Sequence, residues 1–172
     1  MSQGLPGLRS ASADKRLGIY LNDHLGGSAG GLDLARRAAA NNFDTPRFGP
    51  PLAQLAVDIE QDRTALLELM SRLGVRRDPV KERVAWAAEK VGRLKLNGQL
   101  RGYSPLSRLV ELEGLTIAVT GKLLLWQAVR HSLSADPRLH GFDLQRLAER
   151  ARQQRELLGS LRLEAAQEAL VD

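Results

Sequence analysis

Four polar residues fall on or beside helical stripes of apolar side chains. Asp62 lies between Ile59 and Leu66 at spacings of three and four, and Glu113 is four residues from both Leu109 and Ile117. His24 follows Leu21 by three, and Gln154 sits between Ala151 and Leu158. Such spacings put a side chain on the face a helix turns to its core. A bare carboxylate there is costly, so it must be ion-paired, hydrogen-bonded, protonated or metal-bound. The chemistry these types allow is an open metal site. His24, Asp62 and Glu113, with Asp58 as a fourth ligand, supply an imidazole and carboxylates from three helices, a set suited to iron or manganese and hence to oxidoreductase chemistry. The competing reading is a buried polar network in which Arg63 or Arg155 satisfies the acids and His24 is hydrogen-bonded.

Other chemistries find less support. The chain has no cysteine, which removes disulfides, thiolate nucleophiles, iron–sulfur clusters and thiolate zinc sites. Serines, histidines and acids are present, but no nucleophile turn carries them. Leu25-Gly26-Gly27-Ser28-Ala29-Gly30-Gly31-Leu32 invites comparison with a phosphate-cradling loop. That motif needs a preceding strand and a following Lys-Ser/Thr, and both are missing. Close helix packing explains the glycines better. Gly26/Gly30 and Gly27/Gly31 repeat at four, and Gly114, Ala118 and Gly121 form a second stripe that is expected to face the first.

These residues have to be positioned by helices. Apolar residues make up 43% of the 172, aromatics only 4%, so Leu, Ala and Val build the core. That composition favours helix over sheet. The first helix is expected over Lys15 to Asn41 with Asp14 as N-cap, after a disordered tail at 1–14. The second starts near Pro51 and is ended by Gly74. A third, shorter helix runs from Asp78 and Pro79 to about Lys95, a fourth from Ser104-Pro105 to Leu133, and a fifth from Asp143 to Leu170. No segment alternates like a strand. Residues 15–172 then form a single all-α domain, an antiparallel four-helix bundle of two hairpins with an additional crossover helix.

With this layout the chain resembles the ferritin-like four-helix bundles. Tyr20-Leu21-Asn22-Asp23-His24-Leu25 is similar to the first helices of poorly characterised members of that group. The resemblance spans Lys15 to Leu170 and implies, in catalytic members, a two-metal centre for oxygen chemistry. Such centres take a Glu from each of two helices and a Glu-x-x-His pair from each of the other two. Here the residue three beyond a glutamate is never histidine: Glu60 is followed by Arg63, Glu111 by Gly114, Glu113 by Thr116, Glu149 by Arg152 and Glu156 by Gly159. His131 and His140 lie toward the end of the fourth helix and beyond it. The expectation is therefore a bundle without an intact di-metal motif, without a resident cofactor, and with a non-catalytic structural or protein-interaction role.

The net charge of +5 is concentrated. Between Arg72 and Arg101 nine basic residues face three acids, a local surplus of six. Arg76, Arg77, Lys81, Lys90, Arg93 and Arg101 are the candidates for an anion-binding ridge along the crossover, which would dock nucleic acid or another polyanion. Glu82 and Glu89 interrupt that ridge, and a solvated charged face is the plainer reading. A protein partner or a second copy of the chain is the expected contact. The longest apolar stretch, Leu115 to Val129, is too short and too polar for a membrane span. Together with the lack of a secretory signal, this leads to a cytoplasmic expectation.

Overall fold

The computed structural model describes residues 10–79 and 103–171, and within them the chain is helical, with no strand. Four long helices follow one another: α1 (Ala11–Asn41), α2 (Gly49–Arg72), α3 (Pro105–Leu133) and α4 (Leu144–Leu170). A single 3-10 turn, Pro137–Leu139, joins the last two. None of the described helices is long and apolar enough to cross a membrane. The helix expected from Asp78 to Lys95 lies almost wholly outside the described residues.

Three helix boundaries have a plain local cause. The Ser104 hydroxyl accepts from the Ser107 N–H at 3.2 Å and Pro105 takes the first turn of α3. The Asp143 carboxylate accepts from the Arg146 N–H at 2.8 Å to open α4. Both satisfy donors that a helix start leaves without partners. At the end of α2, Gly74 adopts φ +70°. Its N–H reaches the Ser71 carbonyl at 3.1 Å, and the Val75 N–H reaches that of Met70 at 2.9 Å. This paired closure needs the left-handed conformation that glycine supplies without strain.

One start differs from expectation and another falls close to it. α1 begins at Ala11, because the Ser10 hydroxyl accepts from the Ala13 N–H at 3.2 Å. Asp14 thus lies inside the first turn, where its charge complements the helix dipole. α2 begins at Gly49 and absorbs both Pro50 and Pro51 in its first turn, where missing N–H groups cost nothing.

The core is split across its height. Leu32, Ala35, Phe48, Leu55, Ile59, Leu112, Val119, Leu158 and Leu161 belong to one apolar cluster. Leu21, Leu25, Leu66, Met70, Leu123, Trp126, Val129 and Ala151 belong to another. All four helices contribute to both. The changeover occurs at a common level: between Leu25 and Leu32, Ile59 and Leu66, Val119 and Leu123, and Ala151 and Leu158. At that level α2, α3 and α4 carry Asp62, Lys122 and Gln154, and α1 carries the glycine-rich run from Gly26 to Gly31.

Two buried asparagines tie the ends. Asn22 donates to the Gly18 carbonyl at 2.9 Å and the Arg76 carbonyl at 3.0 Å, and accepts from the Asp78 N–H at 2.7 Å. Asn42 donates to the Ala38 carbonyl and the Tyr103 hydroxyl, both at 2.7 Å, and accepts from Arg108 Nε at 2.6 Å. The Arg108 guanidinium in turn lies over the Phe48 ring, 4.4 Å from its centroid. Burial first of all, then the Glu111 carboxylate nearby, pushes the Tyr103 phenol up to about 12.

Candidate functional site

Asp62 occupies the centre of the polar layer and is only 2% exposed. Spacings of three from Ile59 and four to Leu66 place it on the inner face of α2, so its carboxylate cannot reach water. Arg150 of α4 donates to one oxygen and Lys122 of α3 to the other. Gln154 of α4 donates to that second oxygen at 3.1 Å and accepts from Lys122 through its own carbonyl. Arg150 also reaches Gln61 at 3.1 Å, while its Nε has no partner among the described residues. Burial pulls the Lys122 ammonium below its usual pKa, and the Asp62 charge opposes that pull. Three helices therefore meet in one buried, charge-assisted cluster.

The remaining proposed ligands do not join Asp62. Glu113 is exposed, as is Ile117 at 75%, because the inner face of α3 runs through Leu109, Leu112, Leu115, Val119, Leu123 and Trp126. Leu109 and Ile117 are four residues either side of Glu113, but the helix turns that row outward after its first member. Asp58 is half-buried and accepts from Gln54 at 2.9 Å. His24 is half-buried, its ring edge-on to Tyr20 at 4.7 Å between centroids. Burial lowers the His24 pKa, with Asp23 pulling the other way, so the imidazole is neutral at pH 7. Among the described residues no group of three or more histidines and acids is arranged to hold a metal ion. Arg155 is exposed, and the Asp62 carboxylate is met by two cations that the sequence did not single out, Lys122 and Arg150.

The glycines divide into two kinds. Gly26 and Gly30 are buried. A Cβ at Gly31 would stand 3.5 Å from that of Ala118, and one at Gly114 would stand 3.0 Å from Leu34 Cδ2. Here α1 and α3 do approach through small residues, as the stripes suggest. A Cβ at Gly27 or Gly121 would meet nothing within 4 Å. Those two positions border open space, a cavity of about 340 Å³ beside the polar layer. Its wall takes in Tyr20, His24, Ile59, Asp62, Lys122 and Trp126, from α1, α2 and α3. Trp126 is fully buried, and its indole N–H has no acceptor among the described residues.

Sequence reasoning found Asp62, Gln154 and His24 and missed Lys122, Arg150, Trp126, Asn22 and Asn42. Lys122 did carry a signal: it is a cation inside the most apolar helix, between Val119 and Leu125. Of the basic candidates, Arg76 and Arg77 are exposed, and Lys81, Lys90, Arg93 and Arg101 lie outside the described residues. Comparison of the chain with protein-family models, curated proteins and solved structures finds no match.

Proposed function

We propose that this chain is a non-catalytic helical bundle of ferritin-like, antiparallel arrangement that acts by contacting other molecules. One observation carries the reading: both oxygens of the buried carboxylate at mid-height are taken by the cations Lys122 and Arg150. A metal ion needs that carboxylate unencumbered, and two adjacent positive charges repel it. The arrangement is supported by the ends of the described segments. Asp78 is bonded to Asn22 and Tyr103 to Asn42, so the chain leaves beside the first part of α1 and returns at its far end. At 1.5 Å per helical residue those points are about 30 Å apart, and an antiparallel bundle of two such hairpins leaves its second hairpin starting at the end opposite to where the first one stops.

The test is metal analysis of untagged protein grown with ample iron and manganese. The expected result is far less than one ion per chain, with no difference between the wild type and His24→Ala. Stoichiometric iron or manganese that disappears in His24→Ala would overturn the proposal.

A specific surface supports a protein partner, and the partner we favour is a second copy of the chain. Leu106, Ile117 and Leu124 on α3 are more than half exposed, a concentration of large apolar side chains on one helix. Sedimentation should find a dimer in the wild type and a monomer in Ile117→Glu/Leu124→Glu, with helical content unchanged. A wild type that stays monomeric at high concentration removes this surface from the reading.

A further inference from the structure

We propose that the crevice between α1 and α3, floored by α2 at mid-height, binds a small apolar molecule carrying one negative charge, a monocarboxylate of medium chain length. The inference goes beyond the contact role proposed above and needs neither a metal nor a second copy of the chain.

Shape and size set the apolar part of the ligand. The cavity opens at Tyr20, Asp23, Gly27 and Ile117, which are exposed, and closes on Ile59, Leu66, Val119 and Leu125, which are buried. About 340 Å³ lies at the lower end of small-molecule sites, which run from roughly 300 to 1,000 Å³. At interior packing density that volume accepts roughly fifteen non-hydrogen atoms. A medium-length alkyl chain suits both the volume and the wall. The glycines at 27 and 121 agree with this. Each weakens its helix relative to alanine, yet no neighbour within 4 Å requires the missing side chain. What their absence provides is room in the cavity that they border.

Charge selects the other end of the ligand. Of the charged side chains in the wall, Asp23 is exposed at the rim, Arg63 and Lys122 are half-buried, and Asp62 is buried. Asp62 is already met by two cations, Lys122 from the wall and Arg150 from α4. The deep carboxylate is thus matched with a positive charge to spare. Lys122 keeps 15% of its side chain exposed against 1% for Asp62, so the lysine is the member of that pair that a ligand meets. Its ammonium has three N–H donors and spends two, on Asp62 and Gln154.

The state of that ammonium points the same way. Burial lowers its pKa, Asp62 opposes the change, Arg150 reinforces it, and the half-buried Asp58 opposes it least. A positive charge held with so little water gains from a second anion, and in a low-dielectric crevice the attraction acts across several ångströms. A cationic ligand would be repelled there, and a neutral one forgoes the attraction.

Decanoate is the probe, with about twelve non-hydrogen atoms against the capacity set by packing density, and decan-1-ol is its uncharged counterpart. Chelator-treated, metal-free full-length protein is titrated by calorimetry at concentrations where decanoate is monomeric in water. The outcome is then independent of the metal analysis, and it is counted per chain whatever the oligomeric state. One decanoate per chain is expected, bound roughly fivefold or more tightly than decan-1-ol. Gly27→Leu and Gly121→Leu leave the charge unchanged, and each should weaken decanoate binding about tenfold or more by filling the space. Lys122→Met, or Lys122→Gln should the first fold poorly, should bring decanoate and decan-1-ol within about twofold of each other. No saturable decanoate binding, or undiminished binding to both glycine variants, overturns the site. Equal or tighter binding of decan-1-ol by the wild type overturns the ligand class, and a preference for decanoate that survives the lysine change overturns the role given to Lys122.

Discussion

Asp62 is held by partners that are themselves largely buried, so its removal leaves Lys122 and Arg150 as uncompensated charges in the core. Asp62→Leu is expected to cost about 3–5 kcal/mol, the usual penalty for breaking a buried pair from one side. Replacing the whole group together, Asp62→Leu with Lys122→Met, Arg150→Met and Gln154→Leu, should restore stability to the wild-type level or above it. Urea denaturation of the two variants checks both halves. His24 sets a pH dependence. Its folded pKa is depressed by burial, so the unfolded chain takes up a proton near the ordinary value of 6.5 while the folded chain resists. Stability therefore falls as pH drops below about 6.5, down to the folded pKa. The His24→Asn variant should lose less between pH 7 and pH 5, measured as the shift in urea midpoint. At this scale the sequence disclosed Asp62 and Gln154, because an acid or amide on an apolar stripe stands out. It concealed Arg150, because a long cation reads as surface wherever its stem lies. Glu113 misled because an α3 row of Leu109 and Ile117 looks apolar whether or not it faces inward.

Helix boundaries were most legible where a side chain caps the backbone. Ser104-Pro105 and Asp143 mark α3 and α4 within a residue. The start of α1 was not legible in the same way, because Asp14 has the side chain of a cap and only geometry shows that Ser10 fills that place. Glycines inside the helices separate by what surrounds them. Gly27→Ala and Gly121→Ala should each stabilise by about 1 kcal/mol, since alanine is the better helix former and the new methyl meets nothing. Gly49→Ala should do the reverse. Its Cβ would stand 2.6 Å from the Asn42 carbonyl oxygen and 2.8 Å from that of Phe43, both backbone atoms that cannot step aside. Thermal melts of the three variants give the signs directly, and a stabilised Gly49→Ala would contradict the packing of the α1–α2 turn.

On the scale of the whole molecule, the helical character of the described residues could be read from composition and periodicity, whereas the internal division of their core could not. Asp62 and Gln154 each interrupt the stripe of a single helix in the sequence, and only the alignment of the helices reveals that these breaks and Lys122 come at one height. The asparagines at the two ends were equally invisible, since Asn22 and Asn42 look like an interior helix residue and a loop residue until their partners are known. Asn22→Ala would leave the Arg76 carbonyl and the Asp78 N–H without that partner, and a loss of about 1–3 kcal/mol is expected in urea unfolding. The horizontal division has a dynamic consequence. Deuterium labelling under native conditions should sort amides into two blocks of protection stacked along the molecule, each drawing on all four helices, with the fastest-opening helical amides at the level of Asp62.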